Sequence, residues 1–250
     1  MTVWIEAGLF GLLAGGALVL GAAVAWWLPV PRTVVAGVMA FGSGVLISAL
    51  AFELVDEAET VGGLPATVAG FLAGSIAYVA ANTALARRGA RHRMRSGMEQ
   101  PSEDEHQGSG TAIAVGALLD GVPESVVLGI SLVDGGVSVA VLVAIFVSNL
   151  PEGLSSAAGM KRKGRSARYV FGVWSAIALA CGLAGALGCL LLLDASPTTI
   201  AVITAFAAGA VLTLVADAMI PEAFMTTRLY TGTLAACGFI AAFSLSRGLG

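Results

Sequence analysis

Apolar positions run through most of this chain without the alternation of a strand or the one-sided stripe of a surface helix. Short polar breaks cut the run into lengths of about 20 residues, the reach of a helix across a bilayer. Eight such runs are placed at 7–28, 33–56, 64–86, 110–133, 136–159, 168–193, 198–220 and 229–247. Small residues recur within them, as at Gly8 and Gly11 or Gly182 and Gly185, and let helix backbones approach closely. The pattern predicts one all-α polytopic membrane domain over 1–250, with a single long polar loop at 87–109 between spans three and four. Composition agrees: 57% of residues are apolar and 12% charged, with a mean hydropathy of +0.90, outside the range of soluble domains.

Charge then orients the spans. Arg87, Arg88, Arg91, Arg93 and Arg95 follow span three, and Lys161, Arg162, Lys163, Arg165 and Arg168 follow span five. Arg32 follows span one and Arg228 precedes span eight, so with eight spans these residues share a side and only Arg247 lies opposite. The positive-inside rule makes the shared side cytoplasmic, in the cell membrane, with both termini extracytoplasmic. A cleaved signal peptide is the competing reading of span one; Glu6 and the lack of a basic leader favour a retained helix. Cys181, Cys189 and Cys237 all fall within spans, which argues against a disulfide framework.

Two internal repeats organise the chain. Asp120-Gly121-Val122-Pro123-Glu124-Ser125 returns as Ser148-Asn149-Leu150-Pro151-Glu152-Gly153, an offset of 28 (148 − 120). The segment 40–58 returns at 205–223, an offset of 165 (205 − 40), with identities at Ala40, Phe41, Gly44, Ala51, Glu57 and Ala58. Span two thus pairs with seven and span four with five, a 3+2+3 arrangement. An odd number of spans per repeat inverts one copy relative to the other, the plan that supports alternating access with a substrate at mid-membrane.

The chemistry lies in the central pair. A carboxylate at the middle of a bilayer costs roughly 2.5–3.5 kcal/mol on insertion scales. Asp120 and Glu124 are four residues apart, as are Ser148 and Glu152, so each pair shares a helical face. The intervening prolines free the carbonyls of Leu119 and Val147. The spans hold no Lys, Arg or His in their interiors, so a core acid either takes a proton or binds a metal ion. Glu53 and Asp217, each taken alone, read equally as protonated structural acids or as stations on a cation path. Asp56, Glu57, Glu59 and Glu222 lie near span ends and are expected to be solvated. The stretch 99–107, with one of the two histidines, reads as a polar linker rather than a metal sensor.

The Pro-Glu repeats on spans four and five, the eight-span plan and the loop after span three resemble the ZIP family of divalent metal transporters. The ends of span two (Glu53 to Ala58) and span seven (Asp217 to Ala223) fit as well, so the resemblance covers nearly the whole chain. It implies metal uptake into the cytoplasm through a centre between spans four and five, by movement of one helix group against another. The family's span-four pattern, His-Asn-x-Pro-Glu-Gly, meets Asp120, Gly121, Val122, Pro123, Glu124 and Ser125 here. Span five, usually His or Gln, then Asn or Asp, then x-Pro-Glu-Gly, meets Ser148, Asn149, Leu150, Pro151, Glu152 and Gly153. Both glutamates and Asn149 are kept; the imidazole positions have become Asp120 and Ser148, and Gly121 has lost its side chain. A family glutamate on span six would fall near Cys181, and span two often carries His where Glu53 stands.

The expected function is therefore transport of a divalent metal, not an enzyme reaction; no His-Glu-x-x-His pair or other hydrolase signature occurs. Asp120, Glu124, Ser148, Asn149 and Glu152 are the expected metal shell, with Glu53, Cys181 and Asp217 as pathway or extra ligands. Oxygen donors suit ions harder than zinc, and Cys181 at the site would restore some softness, so Mn2+, Fe2+ and Cd2+ join Zn2+ as candidate cargo. The lost histidines sustain a second reading, a transport-inactive scaffold or metal-sensing protein on the same fold. The bilayer is the expected environment, nothing calls for nucleic acid, and the oligomeric state is left open, a homodimer included.

Overall fold

The computed structural model describes residues 2–87, 109–132 and 139–249. Helices account for nearly all of them: α1 (Val3–Trp27), α2 (Arg32–Ala49), α3 (Val55–Leu85), α4 (Ser109–Ser131), α5 (Val139–Arg162), α6 (Ala167–Leu192), α7 (Pro197–Leu214), α8 (Ile220–Thr227) and α9 (Thr231–Leu249). A π turn, Leu50–Leu54, joins α2 to α3, and a second, Val215–Met219, joins α7 to α8. Counted as continuous rods, six helices among the described residues are long and apolar enough to cross a membrane, and the protein is a multi-pass membrane protein. Two of these rods run to 54 and 52 residues, well over the roughly 20 that a bilayer needs.

Each long rod is interrupted. Gly63 takes φ 77° and ψ 165° inside α3, a conformation that only glycine adopts without strain, and Pro65 follows at the start of the next helical stretch. Arg228 takes φ 43° and ψ −108° between α8 and α9. These breaks fall where the sequence places the boundaries before 64 and 229. The helices nevertheless run on past 56 and 220, where the sequence ends spans two and seven. A widened turn carries each of them through. At the second, Pro221 lacks the N–H an α-helical ladder needs; no proline accompanies the first. The loop at 88–108, with His92, His106 and four of its arginines, lies outside the described residues.

Small residues set the packing. α1 runs antiparallel to α6, with Gly8 against Gly182 and Ala186 and Gly15 against Ala178. α1 and α5 touch through Gly21 and Gly153, where a Cβ on either would meet the other helix's backbone. Gly121 meets Cys181 and Gly129 meets Gly185, so α4 runs alongside α6 in the same direction. Two large apolar clusters form among the described residues. One gathers Leu46, Leu50, Val127, Leu128, Val141 and Ile145 with α7. The other gathers Leu18, Ala117, Leu154, Ala157, Met160 and Trp174. α4 and α5 each thread both clusters, and the Pro-Glu segments lie between them.

Candidate metal centre

Asp120, Glu124, Ser125, Ser148, Asn149 and Glu152 are all buried. The two prolines sit inside α4 and α5 without ending either helix. The carbonyl of Val147, which Pro151 cannot engage, faces Gly42 of α2 at 3.7 Å from where a Cβ would stand. Ser155 and Ser156 are buried as well, so α5 carries a polar stripe at i, i+4 and i+7/i+8 from Ser148 onward.

The side chains have different partners. Tyr78 of α3 donates its hydroxyl to Asp120 Oδ1 at 2.8 Å. Ser148 donates to the Ile145 carbonyl of its own helix at 2.9 Å. Asn149 donates through Nδ2 to the Ala14 carbonyl of α1 at 3.0 Å, which turns its amide nitrogen towards α1. Glu124 differs from all of these. Its Oε2 is buried and accepts no hydrogen bond, and it borders a cavity of about 20 Å³ whose remaining walls, Leu50, Leu54, Val141 and Ile145 among them, are apolar. A carboxylate oxygen so placed is costly until a proton or a cation satisfies it.

Cys181 joins this group. Its Sγ lies 3.0 Å from the position a Cβ on Gly121 would take, so the thiol fills the space that the side chain missing there leaves open. The thiol neighbours Ser125 and lies within electrostatic reach of both Glu124 and Glu152. Ser125 donates to the Gly121 carbonyl at 2.9 Å. The two glutamates thus neighbour the thiol without closing on one point: among the described residues no three His, Cys, Asp or Glu side chains stand ready to hold a metal together.

The more distant candidates lie apart. Glu53, on the first π turn, accepts a hydrogen bond from Ser246 of α9. Asp217, on the second, is exposed. Neither borders the Glu124 cavity. Asp56 and Glu59 are exposed, as expected, whereas Glu57 and Glu222 are half-buried, because the helices continue past the expected span ends. Sequence reasoning passed over Tyr78 and Ser125. Tyr78 carried a signal, a phenol inside the otherwise apolar run from Ile76 to Val79.

A scan of the chain against models of known protein families finds no match, and a search of curated proteins finds no relative.

Proposed function

We propose that this chain moves a divalent metal ion across the membrane in the manner of the ZIP family, with Glu124 and Glu152 as the principal ligands. The resemblance rests on the motifs, since no family match accompanies it. The observation that carries the reading is the buried, hydrogen-bond-free Oε2 of Glu124, in a segment that repeats Pro-Glu on the neighbouring helix. A metal cation would satisfy such a group, as a proton does in its absence.

An eight-span reading is supported by how the long rods pair. Phe41 meets Gly238 and Glu53 meets Ser246, so α2 lies parallel to α9. Gly62 meets Thr198 and Ser75 meets Thr213, so α3 lies parallel to α7. Two straight rods running parallel would match beginning with beginning; here each rod's beginning matches the other's end. That pairing supports a reversal of both rods, at Gly63 and at Arg228. The π turns at 50–54 and 215–219 differ by 165 residues, the offset of the sequence repeat. Gly21 against Gly153 and Gly185 against Ser125 are close approaches at similar positions of the two proposed copies. These relations support a 3+2+3 inverted repeat, and the charges then place Lys161 to Arg168 in the cytoplasm with both termini outside.

The two apolar clusters act as closures on either side of the polar layer, and the stripe from Glu152 through Ser155 and Ser156 offers the way to the cytoplasm. Tyr78 orients Asp120, and Cys181 adds a soft donor to an otherwise oxygen-only shell. Binding draws α4, α5 and α6 together around the ion. The test is equilibrium binding of Zn2+, Mn2+, Fe2+ and Cd2+ to purified protein: Glu124→Gln weakens the preferred ion at least about tenfold, and equal affinity in wild type and variant rejects the assignment.

The dispersed ligands and the turned amide of Asn149 favour the second reading, a metal-sensing or scaffold protein without transport. It predicts binding with no flux, and measurable turnover of any one divalent ion excludes it.

A further inference from the structure

At the end of the bundle where Lys161 to Arg168 gather, α1 stops at Trp27 and residues 28–31 cross to α2. Between this crossing and the last turns of α5 lies a groove of about 320 Å³. Leu28, Pro29 and Val30 wall it on one side and Leu154 and Ala158 on the other, while Lys161 and Arg162 stand at its mouth. Both basic residues are exposed. The Lys161 ammonium donates to the Trp26 carbonyl and lies 5.3 Å from the Trp26 ring centre, so its charge is held at the mouth rather than left to wander. Trp27 stacks on Phe171 at 5.2 Å and is itself 69% exposed, the placement of aromatic residues at a membrane–water boundary. Lys163, Arg165 and Arg168 continue the positive field.

We infer that this groove is a binding site for an anionic phospholipid. The acyl chain lies on the apolar walls and the headgroup phosphate meets Lys161 and Arg162. Charge complementarity selects this occupant: a zwitterionic lipid gains the apolar walls but brings no net negative charge to the basic mouth, and a basic pocket between helices at the membrane boundary suits an anionic headgroup. Arg162 supplies a planar fork for two phosphate oxygens and Lys161 a point charge. A metal cation is repelled from this mouth, so the groove is separate from the centre at Glu124, and the inference does not depend on transport.

The experiment uses the full chain purified in detergent, with no added metal, and reads lipid retention by native mass spectrometry alongside thermal stability. The wild type is expected to hold one phosphatidylglycerol per chain about tenfold more tightly than phosphatidylcholine. Lys161→Gln/Arg162→Gln brings the two lipids level, while Lys163→Gln/Arg168→Gln, off the groove, keeps the preference. Because Lys161 also ties α5 to Trp26, Arg162→Gln alone and the groove-filling Ala158→Trp are run beside it, and each is expected to reduce phosphatidylglycerol retention. Equal retention of both lipids by the wild type overturns the site, as does undiminished preference in Arg162→Gln and Ala158→Trp. Displacement of the lipid by glycerol phosphate at equal concentration overturns the lipid as the occupant and assigns the mouth to a soluble phosphate.

Discussion

In the proposed site, Glu124 sets stability against function. A buried polar atom without a partner costs about 1–3 kcal/mol, and the groups around its cavity are apolar. Glu124→Leu is therefore expected to raise the stability of the metal-free protein by about that amount while abolishing metal binding; thermal unfolding in detergent, with and without metal, reads both effects. Asp120 depends on a partner instead. Tyr78→Phe removes the hydroxyl it accepts from and is expected to destabilise by about 1–3 kcal/mol, with a shift in metal affinity that a purely structural bond would not produce. In the proposed site Cys181 is the one soft donor. Thiolate favours soft ions and carboxylate hard ones, so Cys181→Ser is expected to lower affinity for Cd2+ relative to Mn2+ in a competition assay.

Helix breaks and widened turns are the features that shape the elements. Gly63 holds a backbone conformation that L side chains enter only at a cost of about 1–3 kcal/mol, with no crowding beyond Pro65 at 3.9 Å. Gly63→Ala is expected to destabilise by that amount. Gly16→Ala, mid-helix with nothing within 4 Å, is expected to be neutral or to stabilise by about 0.5–1 kcal/mol; comparing the two melting curves isolates the backbone term. The sequence marked both breaks, because Gly63-Leu64-Pro65 and the polar stretch before 229 interrupt the apolar run. It did not mark the π turns. Leu50–Leu54 is as apolar as its surroundings apart from Glu53, and an inserted residue leaves no local signature without a proline nearby. Only the offset of 165 residues ties it to Val215–Met219, where Pro221 supplies the local reason.

Across the whole molecule, the burial of the acidic layer was legible because a carboxylate inside an apolar run of about 20 residues is carried into the membrane with that run. The partners of those acids were not. Tyr78 is 42 residues from Asp120 and Ala14 is 135 from Asn149, and a pattern read along one helix says nothing of which neighbour faces it. The thiol of Cys181 filling the space at Gly121 is a fact of packing between α4 and α6, visible only once the two helices are side by side. The polar layer sealed between two apolar clusters also predicts a pH response. Cation binding needs the carboxylates unprotonated, so protons compete with metal, and metal uptake is expected to fall as the pH is lowered and recover on return to neutrality. The central claim, that Glu124 and Glu152 form the transport site, is tested most directly by radiolabelled metal uptake into proteoliposomes. Wild-type protein is expected to accumulate at least one of Zn2+, Mn2+, Fe2+ and Cd2+, and Glu124→Ala and Glu152→Ala each to abolish it. Full uptake by the folded double variant, or no uptake of any of these ions by the wild type, contradicts it.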